Sequence, residues 1–187
     1  QEMRRQLGLE NEFTLGHVGR FNQPKNHPFL LDIFAALLKK ESNAVLLLVG
    51  GGEGMSQIRE KAQKLGIAEH VHFLGVRSDV ADLMQAMDVF VFPSLHEGLP
   101  VTMVEAQAAG LPCIISDKIP PECILTEGLV DVMPLSASLE IWAEKILAKR
   151  AIPRTDRRAE IAARGFDITT EAVKLQEFYI NAYEQNC

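Results

Sequence analysis

Six short apolar runs alternate with amphipathic segments along most of the chain: FTLGHVG near residue 13, AVLLLVG near 44, HVHFLG near 70, DVFVFPS near 88, LPCIISD near 111 and LVDVMP near 129. Each has strand length, is rich in Val, Ile, Leu and Phe, and closes on Gly, Pro, Ser or Asp. Between them, HPFLLDIFAALLKK sets Phe29, Leu30, Ile33, Phe34, Leu37 and Leu38 on one helical stripe, and MSQIREKAQKLG and DVADLMQAM are shorter versions. After the sixth run only helices are expected, over roughly 137–150, 153–164 and 168–185. Alternation of this kind implies a parallel sheet, because each parallel crossover needs a covering helix, and near-continuous apolar strands are buried on both faces. The expected fold is α/β: a doubly wound parallel sheet of about six strands with helices on both faces and a helical carboxyl-terminal segment.

At 187 residues, 47% hydrophobic and 24% charged, the chain can bury a full core as one domain over 1–187. Its net charge of −6 argues against nucleic acid as a partner, since polyanions are held by basic surfaces. Cys113, Cys123 and Cys187 show neither metal spacing nor a disulfide pattern, which fits a reducing cytosol, and Cys113 reads as a buried, inert thiol. No apolar run reaches the roughly 18 residues of a membrane span. The opening QEMRRQLGLE lacks a signal peptide's apolar region, has no initiator methionine and reads as a helix, as in a fragment of something longer.

Ligands of such sheets sit beyond the carboxyl ends of the strands. Four consecutive loops there carry the unusual residues: Gly19, Arg20 and Lys25 in GRFNQPKN, then GGGEG with Gly51, then Val76 and Arg77, then His96, Glu97 and Gly98. The glycine cluster fails the dinucleotide pattern, because Met55 stands where the third glycine belongs and no acidic residue closes the third strand. Two readings of it stay open: a tight turn needing positive φ, or close approach of backbone to a ligand. Arg20 and Lys25, alone, could be two solvated cations.

The stretch HEGLPVTMVEAQAAGLP separates Glu97 from Glu105 by seven residues. Pro100 suits the first position of a helix running to Gly110, and that helix end would seat phosphate, assisted by Arg20 and Lys25 and without a metal. At helical rise, eight positions cover about 12 Å, the reach of a nucleoside diphosphate sugar from ribose to hexose. Two carboxylates at that spacing could accept hydrogen bonds from ribose and sugar hydroxyls. The blander reading makes Glu105 a solvated helix residue and Glu97 a complement to the helix dipole.

HVGRFNQPKN, LLLVGGGEG, VHFLG, DVFVFPSLHEGLPVTMVEAQAAGLPCIISD and the closing helix to Tyr179 resemble, in order, the carboxyl-terminal domain of a retaining glycosyltransferase of family 4. The resemblance implies a Rossmann-like donor-binding domain, one half of a two-domain GT-B fold whose amino-terminal, acceptor-binding half lies outside this chain. It assigns the donor diphosphate to Arg20 and Lys25, the ribose to Glu105 and the transferred sugar to Glu97. Backbone around Val76 and Arg77 would meet the base, and Gly98, Leu99, Pro100 and Val101 would face the phosphates. It implies no cofactor and no metal, with a nucleoside diphosphate sugar, UDP-linked by preference, as donor substrate. Many family members have EGFG where this chain has EGLP, and that form with GRFNQPKN is most like exopolysaccharide and capsule enzymes of bacteria. The implied setting is cytoplasmic, with possible peripheral contact at the inner membrane face and a polysaccharide or lipid-linked acceptor. Two alternatives stand beside it: a binding module without turnover, and the half of a nucleotide-sugar epimerase.

The remaining candidates read as structural. His17, His27, His70, His72 and His96 have no ligand spacing, with His70 and His72 alternating on a strand and His96 distinguished by its neighbour Glu97. Trp142 falls at helical spacing with Ile146, as core residues do. Lys149, Arg150, Arg154, Arg157 and Arg158 read as a solvated basic face that could touch anionic lipid.

Overall fold

The computed structural model describes residues 2–185. Six parallel strands, β1 (Phe13–Val18), β2 (Ala44–Val49), β3 (Val71–Gly75), β4 (Val89–Phe92), β5 (Cys113–Ser116) and β6 (Val130–Met133), form one sheet in the order β3-β2-β1-β4-β5-β6. Every apolar run of the sequence becomes a strand. β1, β2, β4 and β5 are buried along their whole length, as strands covered on both faces must be.

On one face α2 (His27–Leu38), α3 (Met55–Lys64) and α6 (Leu139–Lys149) pack into a core that includes Phe34, Ile58 and Trp142. On the other, α1 (Glu2–Leu7), α4 (Val80–Ala86) and α5 (Val101–Ala108) pack around Leu83, Phe90 and Met103. The stripe of α2 is wider than its sequence pattern, since Leu31 and Ala36 are also buried while Phe29 and Leu38 lie at its margin. Trp142 is fully buried, meets Phe29 edge-on and donates its indole N–H to the Pro134 carbonyl at 3.3 Å. The chain ends in α7 (Arg158–Ile161), a π turn over Ala162–Phe166 and α8 (Ile168–Glu184).

Several local expectations are corrected. The helix expected over 153–164 begins only at Arg158, as the single turn of α7, and runs on into the π turn over Ala162–Phe166, where Gly165 turns left-handed at φ 86°. His70 lies in a 3₁₀ turn before β3, its Nδ1 against the Ala44 carbonyl, so it does not alternate with His72 on a strand. The basic cluster is a solvated face only in part: Arg150 and Arg158 are exposed, whereas Lys149 and Arg154 turn inward. Lys149 is buried and donates to Asp131 at 2.8 Å and to the Leu129 carbonyl at 3.2 Å. Arg154 donates to the carbonyls of Met84, Gln85, Met87 and Ala109, tying the ends of α4 and α5 together. Cys113 is buried and its thiol is pushed far up by desolvation; Cys123 is pushed up to about 11 by the same cause. Cys187 lies outside the described residues. Among the described residues, no helix is long and apolar enough to cross a membrane.

Candidate functional site

The strand order changes direction between β1 and β4, and the loops leaving these two strands are stitched together. In the β1–α2 loop, Pro24 opens the way to a 3₁₀ turn, Gln23–Lys25, and Asn26 takes a left-handed conformation at φ 54°. The Pro24 carbonyl accepts from the Leu95 amide at 2.7 Å, and Asn26 Nδ2 donates to the Pro93 carbonyl at 3.0 Å. This stitching brings Lys25 Nζ to Glu97 Oε1 at 2.8 Å. Both side chains are largely enclosed, 17% and 12% exposed, and the ammonium also lies 4.6 Å from the centre of the Phe92 ring. A half-buried ion pair at the point where a doubly wound sheet opens its crevice is placed to meet a charged ligand.

Arg20 does not join it. Its guanidinium is 69% exposed and leans to Glu53, 3.7 Å away on the β2–α3 loop, so the two cations of GRFNQPKN diverge. The carboxylates diverge too. The helix expected from Pro100 to Gly110 is α5, Val101–Ala108, with Pro100 extended at its N-cap, so only half of the eight steps from Glu97 to Glu105 are helical and the 12 Å estimate does not hold. Glu105 is exposed on α5 and lines a cavity of about 610 Å³ between α4, α5 and the segment around Arg154–Arg158. Partial burial there raises its carboxyl above the usual range.

The other expected positions lie along the same edge. Gly98 has open space where a side chain would stand, Leu99 and Val101 are exposed, and Pro100 is buried. Val76 is exposed after β3, while the Arg77 side chain is held by Asp79 through two hydrogen bonds of 2.8 and 2.5 Å. The glycine cluster answers its own question. Gly50 and Gly52 have φ of 138° and 147°, and a Cβ on them would stand 2.1 Å from the Gly19 carbonyl oxygen and 2.7 Å from that of Phe21. Backbone does approach these glycines closely, but it is the backbone of the β1–α2 loop, which Gly51 also holds through the Phe21 amide at 2.9 Å. Gly19 is pressed in turn by the Lys25 stem and by His17 Nε2.

Two histidines that read as ordinary in the sequence lie under this site. His17 is fully buried in β1 and its Nδ1 meets the Val91 carbonyl at 2.9 Å, which fixes the proton on Nδ1 and leaves Nε2 bare. His27, at the first position of α2, meets His17 edge-on at 4.7 Å and stacks on Phe21 at 4.2 Å. Burial, then the neighbouring Lys25, lowers His27 to about 4; burial, then His27, holds His17 well below the ordinary imidazole range. The one available signal was the register of α2, which sets His27 on the stripe of Leu30, Leu31 and Phe34. A second cavity, about 690 Å³, opens beside Arg20 and His27. Among the described residues, no three His, Cys, Asp or Glu side chains gather as metal ligands would.

Comparison with known proteins bears on the fold and the family. Over 172 residues the chain is 41% identical to a Bacillus subtilis protein named as a glycosyltransferase, EpsF, covering 90% of this chain and 45% of that one. It is 29% identical to the UDP-Gal:alpha-D-GlcNAc-diphosphoundecaprenol alpha-1,3-galactosyltransferase of Escherichia coli, covering 94% of this chain and 47% of that one. The chain thus spans about half the length of the curated relatives it matches. Among solved structures, Anabaena Alr3699/HepE in complex with UDP superposes with a TM-score of 0.81 at 25% identity, over 96% of this chain and 52% of that one. The sheet and its two helical layers are therefore one Rossmann-like half of the GT-B architecture. With the model for "Glycosyl transferases group 1" matching residues 1–132, which reach from α1 into β6 and include the whole stitched edge, the chain belongs to the group 1 glycosyl transferases.

Proposed function

We propose that this chain is the donor-binding half of a retaining, family 4 glycosyltransferase that moves a hexose from a UDP-sugar to a polysaccharide or lipid-linked acceptor. The observation that carries the reading is the Lys25–Glu97 pair, enclosed at the switch point of the sheet and beside the amino end of α5. That the Anabaena neighbour was solved with UDP and with UDP-glucose, and that the Escherichia coli relative is named for UDP-Gal and a diphosphoundecaprenol acceptor, supports the donor class and a lipid-linked acceptor.

In this reading the donor diphosphate takes the Lys25 ammonium from Glu97, and the amides from Gly98 to Val101 at the start of α5 complete the anion seat. Glu97, released, accepts hydrogen bonds from the transferred sugar. Arg20, loosely held by Glu53, is free to turn to the same diphosphate. Glu105 takes the ribose and the exposed backbone at Val76 and Arg77 the base, on the α4–α5 side. As the bond from sugar to diphosphate breaks through an oxocarbenium-like state, negative charge grows on the leaving group, and Lys25 is aimed at that charge. The acceptor half belongs to the remaining length that relatives have, and the whole enzyme works in the cytoplasm, in peripheral contact with the inner membrane face.

Titration calorimetry with UDP, GDP and their sugar conjugates, without metal, tests this. UDP and UDP-sugars are expected to bind, more weakly after Lys25→Ala and Glu105→Ala. Equal binding by both variants would reject the site.

A further inference from the structure

We propose that Glu97 is an internal competitor for the donor diphosphate, so that the site holds an intact nucleotide sugar more tightly than the nucleoside diphosphate left after transfer and expels the latter as product. The inference rests on the donor reading above and adds to it a discrimination between substrate and product.

Both cations of the β1–α2 loop already carry a carboxylate, but the two pairs differ in kind. Arg20 and Glu53 stand 3.7 Å apart, 69% and 94% exposed, so each can leave the other and be solvated at once. Such exposed pairs contribute very little. Lys25 Nζ and Glu97 Oε1 stand 2.8 Å apart, and their side chains are only 17% and 12% exposed. Among the described residues, Lys25 is the one cation within 4 Å of Glu97 and the one hydrogen-bond donor to its carboxylate. The nearby imidazoles of His17 and His27 cannot replace it, since burial holds both neutral.

Removing one partner of an enclosed ion pair leaves the other uncompensated, which is far more costly than parting an exposed pair. A diphosphate that takes the Lys25 ammonium therefore leaves Glu97 enclosed, anionic and beside further negative charge. A hexose on that diphosphate relieves the carboxylate, because its hydroxyls donate to the carboxylate oxygens. Once the hexose has passed to the acceptor, the nucleoside diphosphate brings no such donor. Glu97 then recaptures the ammonium and displaces it, so the carboxylate that recognises the sugar also ejects the spent carrier.

The test is titration calorimetry of this chain, of Glu97→Gln and of Glu53→Gln with UDP, UDP-glucose and UDP-galactose. In the unaltered chain the better of the two UDP-hexoses is expected to bind about fivefold tighter than UDP, or more. Glu97→Gln removes the competing charge and keeps the shape. It is expected to tighten UDP by about tenfold, to slow UDP dissociation in stopped flow, and to erase the preference for the UDP-hexose. Glu53→Gln, at the exposed pair, should leave every affinity within about threefold. One readout needs no variant to fold: in the unaltered chain, the carboxyl carbon signal of Glu97 should shift as UDP is added. UDP binding no tighter to Glu97→Gln, equal affinity of the unaltered chain for UDP and both UDP-hexoses, or an unmoved Glu97 signal at saturating UDP would overturn the proposal and leave the donor site standing. Failure of UDP to bind the unaltered chain at all would instead reject the donor reading, and this inference with it.

Discussion

Lys25 and Glu97 are each other's counter-ions, which has a consequence for mutants. Replacing Lys25 with Ala removes a cation aimed at a leaving diphosphate, a kind of contact worth about 3 kcal/mol in a transition state, or about a hundredfold in turnover. In the whole enzyme, Lys25→Ala should therefore cut kcat by about that factor while Tm moves by only a few degrees. His27 carries a different signature. Its folded-state value of about 4 lies below the ordinary 6.5, so the unfolded chain takes up the proton first. Its contribution is complete above pH 6.5 and is lost as pH falls toward 4, on the order of 3 kcal/mol in all. Tm measured across that window should fall with acid, and His27→Gln should flatten the slope; His17 adds to the background in the same direction.

At the scale of elements, the glycine loop is a spacer that fixes where the β1–α2 loop lies. Gly52→Ala would put a methyl 2.7 Å from the Phe21 carbonyl at a φ that side chains rarely adopt. It should lower stability by about 2 kcal/mol and weaken UDP binding together, as denaturation and titration of one sample would show. Arg154 has no counterpart among the sequence motifs, yet its guanidinium serves carbonyls at the ends of two helices. Arg154→Ala strands those acceptors, three of them part-buried, and should cost about 2 kcal/mol in urea unfolding, with Arg154→Lys recovering little, because an ammonium cannot reproduce the planar fork.

Across the whole molecule, the sheet was legible because burial on both faces writes each strand as an unbroken apolar run, and six runs became six strands. Helix ends were less so: the helix expected from 153 begins only at Arg158, and Pro100 stands just outside α5 rather than within it. Of the candidate site, the crevice edge was readable from the loops. The pairings were not, since Lys25 meets Glu97 only because Pro24 and Asn26 hydrogen-bond to the β4 loop, and Arg20 goes elsewhere. The roles of Lys149 and Arg154 were hidden because a buried cation's partners, carbonyls and a distant aspartate, leave no trace in local spacing.

α8 differs from every other long helix of the chain in having no buried residue over its 17 positions, with Phe178, Tyr179 and Tyr183 all more than half exposed. A helix of that length with no buried face opens and closes within microseconds. In deuterated water its amides should therefore exchange close to the rate of an unstructured peptide, while those of β1 and β2 wait for the whole domain to unfold. Slow exchange throughout α8 would mean that something in solution already covers it.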